Sequence, residues 1–356
     1  MHRIYLLFAI TAASALSAPV ASAEELRAFI PEGSADAVRI VDPQTGTELG
    51  RIEHLEAVHG LAGHPNSKFL IAGSYAEVDR EEAIAAAKPA GVSEDAHAAH
   101  HAKPPQARIG PSDAGISLLS ILDAATGDVV RRIEVPGAVH HVAISPDGKA
   151  AVATHPAGDG ISVVDLSSLE LVAWVPTGAL PNYAVFGADP GLVYVSNAGN
   201  GTISEVDIGR GIVRRNLIAG EEPEHLVMSP DGTRIFAAEA SLGQVIELEN
   251  SSGRELRRFD IGGEIHGLDL SDDGTRLLIA AKETDRLVAI DLESGELTSA
   301  SLAPAPYHLT TVPGTGKVMV SSRDEPKIWL VDASSLSVLR EIAIEGEGHQ
   351  MVVLPR

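Results

Sequence analysis

The sequence predicts an all-β chain: a seven-bladed β-propeller of four-stranded antiparallel blades, with one blade closed by strands from both termini. Three observations carry this. A unit of four short apolar strands recurs with a period near 42 residues: Ser229 and Ser271 stand 42 positions apart, and so do Pro313 and Pro355. The units share their turn chemistry. A first strand runs into Ser-Pro-Asp-Gly or a variant of it, and a third ends in Val164-Asp165, Val206-Asp207, Ile290-Asp291 or Val331-Asp332. Finally, the last copy, residues 349–354, supplies one strand, and the N-terminal copy supplies three with no leading one. Together these make one blade beside six continuous units, and the closure pairs the edges at the chain ends.

Residues 1–23 read as a secretory signal peptide: a basic start at His2 and Arg3, an apolar run over 4–16, and the cleavage pattern Ala21-Ser22-Ala23. The apolar run is short for a bilayer span, and no later stretch resembles one. The expected mature chain, 24–356, is therefore periplasmic or secreted, with no membrane span after signal removal. Three strands follow at 25–30, 37–41 and 49–55, then a first full unit from Val58-His59-Gly60 onward. Pro65 to Pro146 takes 81 positions where one period would serve, so about 39 residues are extra. This insertion, 74–113, falls between the second and third strands of the first complete blade. Residues 77–87 have helical composition, and His97, His100 and His101 follow on one face of any helix there.

The chain has 356 residues, 44% hydrophobic, with 34 glycines and 21 prolines spread along it, as many short strands joined by turns require. The formal net charge of −22 becomes −23 once Arg3 leaves with the signal. Such a surface repels nucleic acid and anionic lipid. There are no cysteines, which removes disulfides, thiolate metal sites, iron–sulfur clusters and c-type haem attachment. Any metal would need His, carboxylate or carbonyl ligands.

Aligned on the turn that ends the inner strand, the strand starts give two adjacent columns. The first holds His59, His140, Asn182, Glu224, His266, Tyr307 and His349; the second holds Gly60, His141, Tyr183, His225, Gly267, His308 and Gln350. Seven of the 14 histidines stand in these columns. Inner strands line the central channel of a propeller, so His59, His140, His141, His225, His266, His308 and His349 should converge near one mouth of it. Alternation along a strand would turn only one column to the channel, and the sequence leaves open which. A histidine at such a turn also serves simply to bond a neighbouring blade. As a set, the imidazoles suit zinc or copper. His155 and Glu239, ending second strands, are weaker metal candidates deeper in the channel. His54 and His64 read as surface residues.

His225-Leu226-Val227-Met228-Ser229-Pro230-Asp231-Gly232, with strands such as Val193-Tyr194-Val195-Ser196-Asn197, resembles the YVTN-type propeller repeat. That resemblance covers essentially all of the mature chain and implies the fold, not the function. The His140-His141 pair on a histidine-lined hub is similar to the copper-cluster hub of nitrous oxide reductase. The cysteine-containing electron-transfer domain of that family is absent, which argues against reductase activity. The pair together with the loop His97, His100 and His101 also resembles the AztD-type periplasmic zinc metallochaperones.

The resulting expectation is a monomeric, non-enzymatic periplasmic protein that binds zinc or copper on its hub and loop, and stores or delivers it. A periplasmic metal-transport binding protein is the partner this implies. The alternatives are a propeller enzyme, lactonase-type or haem/copper oxidoreductase-type, and a metal-free interaction scaffold. No Ser-His-Asp motif is recognisable.

Overall fold

The computed structural model describes residues 25–77, 109–111 and 115–356. Among them seven four-stranded antiparallel sheets form, the seven blades of a propeller with almost no helix. Blade 1 joins Leu26–Glu32, Ala37–Val41 and Glu48–Ile52 to the C-terminal strand Val352–Pro355, its innermost. The inner strands of blades 2 to 7 are Val58–Gly63, Val142–Ile144, Pro181–Phe186, Pro223–Met228, Leu268–Leu270 and Pro306–Val312. In blade 2, Phe69–Ser74 pairs directly with Ile116–Asp123, which places the insertion between its second and third strands. The stretch 78–108, with most of the expected helix and His97, His100 and His101, lies outside the described residues, as does the expected signal peptide. Among the described residues, no helix is long and apolar enough to cross a membrane.

The repeat motifs have plain physical jobs. After each Ser-Pro or Ser-Asp turn the serine hydroxyl bonds the following aspartate: Ser145 to Asp147 at 2.7 Å, Ser229 to Asp231 at 2.5 Å and Ser271 to Asp273 at 2.7 Å. The glycine that follows adopts a positive φ, 71° at Gly148 and 69° at Gly232, where a side chain would be strained. The aspartates ending the third strands accept backbone N–H groups of the next turn, Asp165 from Ser167 and Asp332 from Ser334 and Ser335. Second and third strands are buried over most of their length because neighbouring blades cover both faces, whereas fourth strands alternate between covered and exposed at the rim.

Closure of the ring rests on Leu26↔Pro355 to Phe29↔Val352 pairing and on one buried carboxylate. Glu32, fully buried, accepts from Arg39 Nε at 2.7 Å and from the Glu345 backbone N–H at 2.9 Å. Arg51 stands 3.5 Å from its other oxygen. A buried ion pair adds little over an apolar substitute, but removing one member strands the other. Glu32→Ala is therefore expected to cost about 3 kcal/mol in denaturant unfolding. A loss below about 0.5 kcal/mol, the range of ordinary surface changes, would show that the carboxylate does not secure the closure.

Candidate metal centre

The inner strands do not simply alternate where they begin. Their ladders to the second strands shift register between Val58 and Gly60, Pro181 and Ala184, Pro223 and Leu226, and Pro306 and Leu309. The skipped residues include Tyr183, Glu224, His225, Tyr307 and His308. In blades 3 and 6 the ladder starts only at Val142 and Leu268, just after His141 and Gly267. A bulge of this kind sets two residues against one and releases both side chains from strict alternation. Both columns thus contribute to the hub: His140 faces His59 and His349, and His141 stacks on Tyr183 at 3.5 Å. The choice between columns that alternation demands does not arise.

Three hydroxyls on second strands stabilise the bulges. Thr154, Ser196 and Ser321 accept from the backbone N–H of His141, Tyr183 and His308 at 3.0, 3.0 and 3.1 Å. Thr154 and Ser196 then donate to the Asn182 and Glu224 carbonyls of the next blade. Gly267 is needed for a different reason: a Cβ there would stand 2.5 Å from the Tyr307 carbonyl oxygen, which its own N–H reaches at 3.0 Å. At the seventh station Gln350 reaches across two blades. Its oxygen accepts from the Leu61 and Val142 N–H groups, and its amide donates to the Val142 carbonyl at 2.8 Å.

Six imidazoles form two groups of three, His59, His140 and His349, and His225, His266 and His308. Within each group the ligand atoms lie within 4.8 Å of one another. The groups are in contact, His308 Nε2 to His349 Nε2 at 2.9 Å, with His266 Nε2 3.3 Å from His308 Nε2. The outer nitrogens are already assigned. His140 Nδ1 lies 3.0 Å from the Asn182 carbonyl, and His349 Nδ1 3.2 Å from that of His59. A carbonyl only accepts, so each Nδ1 carries the proton and each Nε2 is left with a lone pair. His266 Nδ1 faces Glu224 Oε2 at 3.1 Å, a carboxylate–histidine arrangement that orients a metal-ligating ring.

Among the described residues, four buried ring nitrogens have no hydrogen-bond partner: His59 Nε2, His141 Nε2, and both ring nitrogens of His225. An unmet buried polar atom costs about 1–3 kcal/mol, and a coordinated ion would meet several at once. Burial also holds the rings neutral, the form that ligates. It pushes His59 and His225 down to about 3 and places His141, His266, His308 and His349 well below the ordinary histidine range, with the neighbouring imidazoles adding to the effect. Glu224 moves the other way, up to about 7, through burial first and then Glu222 and Glu264. The donor set, all imidazole with no thiolate, fits copper or zinc.

The two weaker candidates are otherwise engaged. His155 is bonded at both ring nitrogens, to the Gly137 carbonyl at 3.0 Å and the Ser162 hydroxyl at 2.8 Å. The Glu239 carboxylate accepts the backbone N–H groups of Glu221 and Glu222. His54 is exposed, and His64 Nδ1 accepts from the Asn66 N–H at its turn.

No protein-family model and no curated protein matches the sequence. Solved structures do. The periplasmic gluconolactonase of Pseudomonas aeruginosa superposes with a TM-score of 0.68 at 16% identity, covering 92% of this chain and 99% of its own. A putative 6-phosphogluconolactonase from Bacteroides fragilis gives 0.70 at 13%, covering 94% and 99%. Hydrazine synthase of Kuenenia stuttgartiensis gives 0.66 at 17%, covering 87% and 92%. At these identities what is shared is the fold. The comparison corrects the expectation of a non-enzymatic protein: the solved neighbours include enzymes by name. What the comparisons establish is a seven-bladed β-propeller whose structural neighbours include lactonase-like members.

Proposed function

We propose that the chain is a cell-envelope metalloenzyme whose centre is copper or zinc held by the hub histidines. One observation carries this reading: six neutral imidazoles from six blades converge in two touching groups of three, with buried ring nitrogens left unpartnered among the described residues. His59, His140 and His349 would hold one position and His225, His266 and His308 the other. Bound there, the metal would supply Lewis acidity, and copper would add one-electron chemistry. Three protein ligands leave a coordination position open, the arrangement of catalytic rather than structural zinc.

The chain's own groups supply the rest. The Asn182 and His59 carbonyls and Glu224 fix which nitrogen of His140, His349 and His266 points inward. Tyr307 stacks on His266 at 3.9 Å, and Tyr75 lies 4.6 Å from His59, so each group has an aromatic neighbour. The enzymatic neighbours, and the periplasmic one among them, support the class and the compartment. The likeness of the His140-His141 strand start to zinc metallochaperones supports the metal.

The test is elemental analysis of protein purified from the periplasm, with its visible spectrum and turnover on a lactone and ester panel. At least one copper or zinc per chain and metal-dependent turnover are expected. Affinity for both ions weaker than about micromolar, near −8 kcal/mol, would sink the metal centre. A visible haem spectrum in place of either ion would replace it.

A further inference from the structure

On the turn side of the histidine layer the channel widens into a cavity of about 480 Å3. Its roof is His141, Tyr183, His308 and Gln350, and its walls are the inner strands down to the level of His64 and Pro146. A volume of this order suits a small organic ligand. Three features say which kind. The inner strands pair on one side only, so each turns an edge of backbone N–H and C=O groups to the channel. Gln350 already uses these edges: a neutral amide takes two N–H groups and one carbonyl from Leu61 and Val142. Alternating donors and acceptors of this kind match hydroxyl groups, which both donate and accept.

Two side chains give the cavity polarity of its own. Asp269 accepts the Leu270 N–H at 2.8 Å with one oxygen and the Thr311 N–H at 2.7 Å with the other, and each oxygen keeps a further lone pair. Tyr183, held between His141 at 3.5 Å and His225 at 4.3 Å, has a hydroxyl with no protein partner among the described residues. Apolar side chains in the wall, Phe186 and Met228 among them, can cover a C–H face. Among the described residues no lysine or arginine lines the cavity, and the chain carries −22 overall, so an anion is poorly matched.

We propose that this chamber binds a small neutral polyhydroxylated molecule of about monosaccharide size, with Tyr183 donating to it and Asp269 accepting from it beneath the histidine cluster. The proposal rests on the metalloenzyme reading in making that molecule the enzyme's substrate; the binding itself does not need the metal.

The test is calorimetric titration of the purified full chain with D-glucose and with D-gluconate, metal content being measured on the same samples. Saturable one-to-one binding of glucose is expected, with gluconate at least tenfold weaker. Tyr183→Phe, which keeps the stacked ring, and Asp269→Asn should each weaken glucose binding at least tenfold with metal content and thermal midpoint unchanged. Absence of saturable glucose binding, tighter binding of gluconate, or binding that survives both substitutions would overturn the chamber. Retained metal with no glucose binding would remove the chamber alone. Glucose binding without metal would instead remove the metal centre and leave the chamber standing.

Discussion

Replacing His308 with alanine is expected to lower copper or zinc affinity by about 100-fold or more, since loss of even an outer hydrogen-bond partner of a ligand costs 10–100-fold. His308 is chosen because it joins the two groups: its Nε2 is 3.3 Å from that of His266 and 2.9 Å from that of His349. Without a bound ion, Nε2 of His308 must donate, because the Nε2 atoms of His349 and His266 hold lone pairs. Ligation then asks only for a tautomer change in this ring. Removal opens a gap between the groups, whereas His155→Gln, at a ring bonded on both sides elsewhere, should leave affinity unchanged. Competition titration against a chelator, with stoichiometry, reads both. Equal affinity in wild type and His308→Ala would mean that the ion sits elsewhere in the chain.

The fold was readable because its information is periodic. The serine, aspartate and glycine of each turn make the same bonds wherever the motif stands, at Ser145, Ser229 and Ser271 alike. Counting strands at the two ends was enough to anticipate the closure by Val352–Pro355. The hub histidines were readable as columns, but their arrangement was not. Strict alternation offers one column or the other. The bulges admit both, and a bulge leaves little mark in a single strand; it shows in the register against the neighbour. The signal that could have revealed it is the recurring hydroxyl on the second strand, Thr154, Ser196 and Ser321, which lies a dozen or so positions from the residues it supports. Glu224 was visible as a column member, but its role toward His266 depends on the meeting of two blades. Asp269 and the chamber depend on all seven.

Acid should destabilise the metal-free protein steeply, and the sign follows from the direction of the shifts. The folded-state values of His59 and His225 lie near 3, and His141, His266, His308 and His349 are also well below the ordinary value of about 6.5 that the unfolded chain has. Below that ordinary value the unfolded state takes up protons that the folded hub refuses. The stability these rings contribute is thus fully present above about pH 6.5 and is lost as pH falls from there toward 3. Each ring protonated only on unfolding steepens the loss by about 1.4 kcal/mol per pH unit. Glu224 and Asp269, whose values are raised by burial, act in the opposite sense, gaining as they protonate. Two groups against at least six leave the net slope with the histidines. Denaturant titrations of metal-free protein between pH 7.5 and 5 should therefore show a free energy that falls with acid. His225→Leu, which removes a ring with both nitrogens buried and unbonded among the described residues, should reduce that slope by about one proton. Copper or zinc should hold the upper part of the curve flat until protons compete for the ligands, after which both forms fall together. A metal-free free energy that stays level from pH 7.5 to 5 would mean that the hub rings already accept protons in the folded state, and the neutral, ligand-ready cluster would have to be abandoned.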